Sequence, residues 1–376
     1  MKRILLITSL FLGMASLQAQ ESTLLKKVYQ YILQPENVDT ISIYQPSRAC
    51  FSLGVFTTEQ KAGFDVNLHF TADMGAGKPV PGLSQYSLSE NICDKLGFEL
   101  AYGNASLSYS FELGSKSAYK KNAFEFNLQG REWGVGVEYF KITNPFITTL
   151  TLGEVGDAYY HHDSIIAEEG TYLRSLYIDG YYVFNNKRFA YPAAYKIGMV
   201  QRHTAGSWLV TARYMQGELV NDPHISGSTF AMLDSYSTLQ ASVGGGYSAN
   251  FVLWHKDPKG PRDQGLRNIT LNLTAMPVIT FANYLKTISH QYVVTEETHV
   301  SKIWCYPMPN FIGNAAASIT LGRFYFTAQF NYNWFYFRSD LALDIHQIDF
   351  PDYLDDLKIK GSFHDWLLKG MVVYRF

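Results

Sequence analysis

Charge is scarce in this chain and its signs cancel: only 17% of the residues are Asp, Glu, Lys or Arg, and the net charge is −2. That balance leaves no basic surface for nucleic acid or another polyanion. Cysteine is scarcer still. Cys50, Cys93 and Cys305 permit at most one disulfide and leave one thiol over, which excludes a disulfide scaffold, and their spacing is wrong for a zinc site. Beyond residue 19 there is no run of about 18 or more uninterrupted apolar residues, which excludes a transmembrane helix. No Gly-rich nucleotide loop follows a strand and opens a helix. Gly244-Gly245-Gly246 sits inside a strand pattern and marks a bend or a close approach.

Aromatic residues are abundant instead: 27 Tyr, 25 Phe and 6 Trp, with 29 Gly among them. This suits lipid-facing strands with interfacial girdles better than a soluble surface. The first residues carry an export address, with Lys2 and Arg3 before an apolar stretch from Ile4 to Leu12 and a small residue, Ala19, at a cleavage position. Residues 1–19 are therefore expected to be a cleaved signal peptide. No Cys follows the apolar stretch, which argues against a lipid anchor. Ser22 to Gln34 places Leu24, Leu25, Val28, Tyr29, Ile32 and Leu33 at helical spacing before Pro35. A short helix is expected there, in a segment 20–47 that is periplasmic or tucked into a lumen.

From residue 48 onward the dominant period is two. Phe64, Val66, Leu68 and Phe70 alternate with Asp65, Asn67 and His69, while Ile269, Leu271 and Leu273 alternate with Asn268, Thr270 and Asn272. Phe324, Phe326, Phe330, Tyr332 and Trp334 alternate with Thr327, Gln329, Asn331 and Asn333. In a bilayer only helices and closed sheets satisfy every backbone polar group, so the pattern predicts a transmembrane antiparallel up-and-down β-barrel over 48–376. Strands are expected near 50–57, 63–71, 95–103, 104–113, 122–130, 132–141, 171–184, 193–202, 207–217, 238–252, 267–281, 310–320, 323–337 and 364–376.

The last strand ends with Val372, Tyr374 and Phe376 on one face, a terminal pattern that bacterial barrel-assembly machinery reads, and the predicted location is the outer membrane. Turn lengths test the strand list, because periplasmic turns are short and outer loops long. Counting back from Phe376, the turns at Gly322-Arg323 and His203 to Gly206 fall in the periplasm. Those at Gly103-Asn104 and Gly130-Arg131 fall outside, so the list contains an error before residue 206. A missed strand near Phe146 to Leu152 and one false strand earlier would repair it, and 12 to 14 strands bracket the barrel.

Gln129-Gly130-Arg131-Glu132-Trp133-Gly134-Val135, the run from Tyr181 to Ala194, and His203-Thr204-Ala205-Gly206-Ser207-Trp208 resemble the domain-of-unknown-function 4421 family of Bacteroides-type outer-membrane proteins. This chain has Phe189-Ala190-Tyr191 and Thr204-Ala205-Gly206-Ser207 where the family has Phe-Ser-Tyr and Ser-Ala-Gly-Ser. The resemblance implies the barrel fold and carries over no catalytic or ligand residue. Physically, these segments read as turn chemistry: Asn185-Asn186 tolerates left-handed backbone, and Ala205-Gly206 closes a hairpin.

The lumen face is expected to carry Asp65, Glu112, Glu125, Arg213, Lys369 and Arg375, with Glu138 and Asp179 and the aromatics Tyr325, Phe335 and Phe337. Mixed signs argue against a single-sign selectivity ring and suit a narrow aqueous passage or a packed interior. Tyr159-Tyr160-His161-His162-Asp163-Ser164 is the densest reactive cluster, but adjacent His residues on a strand face opposite ways, and a solvated loop is the favoured reading. The acidic run Asp340, Asp344, Asp349, Asp352, Asp355 and Asp356 lacks calcium-loop spacing and reads as a solvated surface. No catalytic, cofactor or metal residue is assigned. The expected role is passage or binding of small or amphiphilic molecules, with outer-membrane lipid, the assembly machinery and a small solute as partners. A structural or surface-interaction barrel comes next, and an outer-membrane lipid-modifying enzyme last.

Overall fold

A computed structural model describes residues 39–44, 51–73, 79–90, 93–113, 120–143, 146–155, 158–167, 172–196, 198–220, 233–259, 264–291, 297–340 and 354–376. The expected signal peptide and the helix over 22–34 lie outside the described residues. The chain runs through β1 (Ile43–Tyr44), β2 (Phe51–Asp73), β3 (Pro79–Glu90), β4 (Cys93–Tyr102), β5 (Ala105–Glu112), β6 (Lys120–Gln129), β7 (Trp133–Thr143), β8 (Phe146–Val155) and β9 (Ala158–Ala167). It continues through β10 (Tyr172–Val183), β11 (Val200–Gln201), β12 (Ala205–Val220), β13 (Leu233–Lys256), β14 (Arg267–Gln291), β15 (Glu297–Trp304), β16 (Met308–Leu321), β17 (Phe324–Asp340) and β18 (Leu354–Arg375).

Twelve of these form a closed antiparallel wall in the order β2-β4-β5-β6-β7-β10-β12-β13-β14-β16-β17-β18 and back to β2. The seam runs from Leu354↔Ala72 to Arg375↔Ser52, and Phe376 donates its backbone N–H to the Phe51 carbonyl at 2.9 Å. No edge is left in the wall, as lipid demands. The period of two sorts the side chains. On β2, Phe51, Leu53 and Val55 are exposed on the outer face while Ser52, Phe56, Thr58 and Gln60 are buried in the lumen. On β18 the outer face carries Leu368, Val372, Tyr374 and Phe376, and the Tyr374 and Phe376 rings meet edge to face at 5.1 Å.

The wall corrects the expected strand list in two places. The stretches 50–57 and 63–71 are one continuous strand, β2. The stretch 193–202 is no wall strand, because Pro192 opens a short 3-10 helix at Tyr191–Ala194 and only Val200–Gln201 pairs, with β1. Pro lacks the N–H that a central strand must donate. With that strand removed, the turns at Gly103-Asn104 and 130–132 move to the same end as Gly322-Arg323, and the conflict in turn lengths disappears. Gly103 and Gly322 take φ values of 57° and 61°, the left-handed conformation that a two-residue hairpin turn requires and a side chain resists. A strand does exist near Phe146, but β8 pairs with β3 and β9 at the opposite, loop end, outside the wall.

The connection 184–204 leaves β10 at the turn end and folds back into the lumen. Phe189 is fully buried in a cluster with Val183, Leu209, Met276, Val278, Ile312 and Phe335. The carbonyls freed by the irregular backbone are met by the wall: Asn250 Nδ2 donates to Ala190 at 2.8 Å, Thr327 Oγ1 to Ala194 at 3.1 Å, Gln329 Nε2 to Tyr195 at 3.0 Å and Asn268 Nδ2 to Gln201 at 2.8 Å. The Tyr195 hydroxyl donates to Asn272 Oδ1 at 2.5 Å. The segment 39–44 clasps this plug from below through β1↔β11, and Arg202 donates to the Thr40 carbonyl. Hydrogen bonds from the Ser42 hydroxyl and the Ile41 N–H hold the Asp39 carboxyl below its usual range and fix that turn.

Gly244 and Gly246 on β13 lie against the backbone of β14 at Pro277 and Ala275, where any Cβ would collide. The register there is locally unpaired, so the glycines mark a close approach in the wall. Asn272 sits at the centre of the plug's anchorage, donating to Asn250 Oδ1 at 2.7 Å and to Ser248 Oγ at 3.0 Å. Asn272→Leu is expected to destabilise the barrel by about 1–3 kcal/mol, because Tyr195 and Asn250 lose buried partners. The shift in heat-dependent mobility of the folded band on a denaturing gel checks this; an unchanged midpoint would remove the anchor role.

Candidate functional site

Above the plug lies a cavity of about 250 Å³. The wall strands and the plug together bring five carboxylates to it, Glu99, Glu125, Glu138, Asp179 and Asp365, and three cations, Lys196, Arg213 and Lys369. Each wall residue arrives there by parity: inward positions are odd on β4, β6, β10, β12 and β18 and even on β7. Lumen charges of opposite sign are thereby set across strand boundaries, where they offset part of each other's desolvation.

Two pairs organise the wall. Arg213 forms an ion pair with Asp179, donates from Nη1 to Asn333 Oδ1 at 2.7 Å and lies 5.8 Å from the Phe335 ring centroid. Lys369 sits 3.5 Å from Glu125 and 4.3 Å from the Phe56 ring centroid. Glu125 also accepts from Asn127 Nδ2 at 2.7 Å and Ser108 Oγ at 3.2 Å. These bonds hold the carboxylate with its oxygens committed to known donors.

The third cation belongs to the plug. Lys196 is 5% exposed, and its Nζ makes no hydrogen bond among the described residues. Burial pushes this ammonium down to about 8, with Glu99 pulling the other way. Beside it Tyr191 accepts from Asn314 Nδ2 at 3.3 Å and stacks edge-on against Tyr181 at 4.8 Å. The floor of the cavity is therefore the plug segment, carrying an ammonium group that lacks a hydrogen-bond acceptor among the described residues. Such a surface can take a polar guest with acceptor atoms.

Of the residues expected to face the lumen, Glu125, Glu138, Asp179, Arg213 and Lys369 come together at this cavity. Glu112 stands inward but nearer the loop end, opposite Lys95, and Arg375 is buried at the turn end, away from the cavity. Asp65 stands on the other face. On β2 the even positions point inward, and the Asp65 carboxylate lies 3.8 Å from His364 Nδ1 on the outside of the sheet. There β2 has passed beyond the apolar belt, so polar residues no longer need the lumen. Glu99, Asp365, Lys196, Tyr191 and Tyr195 were not anticipated. The plug residues were hidden because 193–202 was read as a strand, although Pro192 argued against it.

The Tyr159 to Ser164 cluster lies in β9, with His161 opposite Leu152 and His162 opposite Thr151, on adjacent positions of a regular strand. Residues 341–353, which hold much of the acidic run, lie outside the described residues. Among the described residues no three His, Cys, Asp or Glu side chains converge to hold a metal ion. Cys305 is a free thiol, and Cys50 lies outside the described residues.

Comparison with solved structures finds other barrels. The outer membrane protease OmpT from Escherichia coli aligns with a TM-score of 0.29 at 9% identity, covering 90% of this chain and 99% of that one. The β domain of the Bordetella autotransporter BrkA aligns with a TM-score of 0.29 at 8% identity, covering 84% and 99%. A bacterial polysaccharide outer membrane secretin aligns with a TM-score of 0.28 at 8% identity, covering 84% and 98%. Likenesses this small assign no activity to this chain. No curated protein matches it. The family model described as Domain of unknown function (DUF4421) matches residues 81–348, from β3 past the end of β17 and across the whole plug, and the chain belongs to that family.

Proposed function

We propose that this protein is an exported outer-membrane barrel that binds a small polar molecule in its lumen and passes it when the plug moves. The observation that carries the proposal is the charged cavity floored by Lys196. At about 250 Å³ it lies just below the roughly 300–1,000 Å³ typical of drug-sized ligand sites, which suits a small polar guest. The mixed carboxylates and cations suit a polyol or zwitterion better than a simple ion of either sign. No step in this role makes or breaks a covalent bond. The turn end, with the plug and residues 39–44, faces the periplasm, and the aromatic end of β18 is what the assembly machinery engages.

The plug is held by single hydrogen bonds to its backbone, which water can replace when the segment leaves, and by the apolar burial of Phe189, which its departure must give up. Replacing residues 186–203 by a short Gly-Ser turn is expected to raise single-channel conductance in planar bilayers by roughly tenfold over the intact chain, because a barrel of this width is otherwise open. Silence from both proteins would end the passage reading. In the plug-deleted barrel, Lys369→Met removes a lumen cation and leaves Glu125 without it, so the cation-to-anion permeability ratio should rise about twofold. Reversal potentials in a salt gradient read this directly, and an unchanged ratio would place Lys369 off the conduction path.

A second reading, a surface-interaction barrel, is favoured by one feature. β3, β8 and β9 carry the sheet past the wall at the loop end, where β9 has a neighbour on only one side among the described residues. Deleting 146–167 separates the two, since lumen conductance should survive it and a surface role should not.

A further inference from the structure

Three couples of opposite charge line the lumen cavity, and two of them are closed. Arg213 is in contact with Asp179, and Lys369 stands 3.5 Å from Glu125. The third couple, Lys196 on the plug and Glu99 on β4, is open. Glu99 acts electrostatically on the Lys196 ammonium, yet no ion pair joins them, and neither side chain makes a hydrogen bond among the described residues. Both line the cavity and both are buried, at 5% and 6% exposed. Buried charges are normally paired, because a charge taken out of water without a partner is far costlier than a neutral side chain.

The couple selects against simple ions. A lone anion on Lys196 would sit beside Glu99, and a lone cation on Glu99 would sit beside Lys196, so each is repelled by the other member. A molecule carrying both charges a few bonds apart meets attraction at both ends. A hydroxyl could hydrogen-bond to both groups but would neutralise neither. Glu99 also has the Glu125 carboxylate within electrostatic range, which reinforces a positive group on the β4 side, while Lys369, the cation that acts on Glu99 from the wall, is committed to Glu125. Beside Lys196 the floor is aromatic. The Tyr191 and Tyr195 ring centroids lie 5.2 Å apart, and their hydroxyls are engaged with Asn314 and Asn272, so they offer ring surface to a short side chain.

We propose that the open couple is the head-group site for a small α-amino acid, whose carboxylate is taken by Lys196 and whose ammonium is taken by Glu99. The guest closes the third couple as Glu125 and Asp179 close the other two. A cavity of about 250 Å³ suits one such molecule and is too small for a peptide. This site rests on the lumen-binding role proposed above, and it narrows the guest to one chemical class.

The test is a saturation-transfer NMR titration of the full chain in neutral detergent, with L-alanine, propionate, ethylamine and D-glucose as probes. L-alanine should bind saturably and roughly tenfold tighter than propionate or ethylamine, because each of those lacks one charge-assisted bond. Lys196→Met should reverse the order, with ethylamine binding at least as tightly as L-alanine, since the cation that repels it is gone. Glu99→Gln should do the same for propionate. If either variant loses its heat-dependent gel mobility, the other variant and the probe series on wild type decide. Propionate, ethylamine or D-glucose matching L-alanine on wild type would overturn the amino-acid site and leave lumen binding standing. Wild-type preference in the folded variants would place the binding elsewhere and overturn it as well. Silence from every probe would also overturn the site, while the conductance of the plug-deleted barrel judges the passage role separately.

Discussion

A closed wall of twelve strands is wider than its own side chains can fill, and much of this molecule follows from that width. About eight strands give an interior that wall residues just pack; each added pair opens space that water or chain must occupy. Here chain occupies it at one end. The connection between β10 and β12 is far longer than a turn at that end needs to be, and its Phe189 and Tyr195 reach the wall where a bare twelve-stranded lumen would hold water. The remaining volume becomes the charged cavity.

Filling a lumen with irregular backbone sets a second requirement, since a short 3-10 helix has carbonyls it cannot satisfy itself. The wall meets them with Asn250, Asn268, Thr327 and Gln329. A row of Asn, Thr and Gln on an inward face is usually a sign of a water-lined channel. In this barrel part of that row is a docking surface for the plug. The two uses are physically close, because a group that hydrogen-bonds a carbonyl can hydrogen-bond water equally well. Phe189 adds an apolar anchor to these hydrogen bonds, so the plug is placed by both kinds of contact and its release must give up both.

The architecture was legible in the sequence because a barrel wall writes its alternation locally: Ile269 to Thr274 and Phe324 to Asn333 declare both faces without knowledge of any partner. Turn polarity even located the error before residue 206. What could not be read was everything that depends on pairing between distant segments. That β2 runs unbroken through Gly63 is set by its seam with β18, where Gly63 faces His364. Asp65 falls outside the lumen for the same reason, since a strand that outruns the membrane keeps its parity while its surroundings change. Lys196 could not be placed without the plug, and the plug was masked by short apolar residues, Ala193 and Ala194, that pass for strand.

The same limit explains why the charges divide as they do. Lys369 and Lys360 lie on one strand nine residues apart, and the odd or even position decides that Lys369 meets a carboxylate across the lumen while Lys360 stands exposed on the outer face. Inside, low dielectric makes an unpaired charge costly, so Lys369 has Glu125 and Arg213 has Asp179. A net charge near zero therefore conceals an ordered arrangement, in which strand parity carries Lys369 and Arg213 to lumen carboxylates and leaves Lys360 on the outer face.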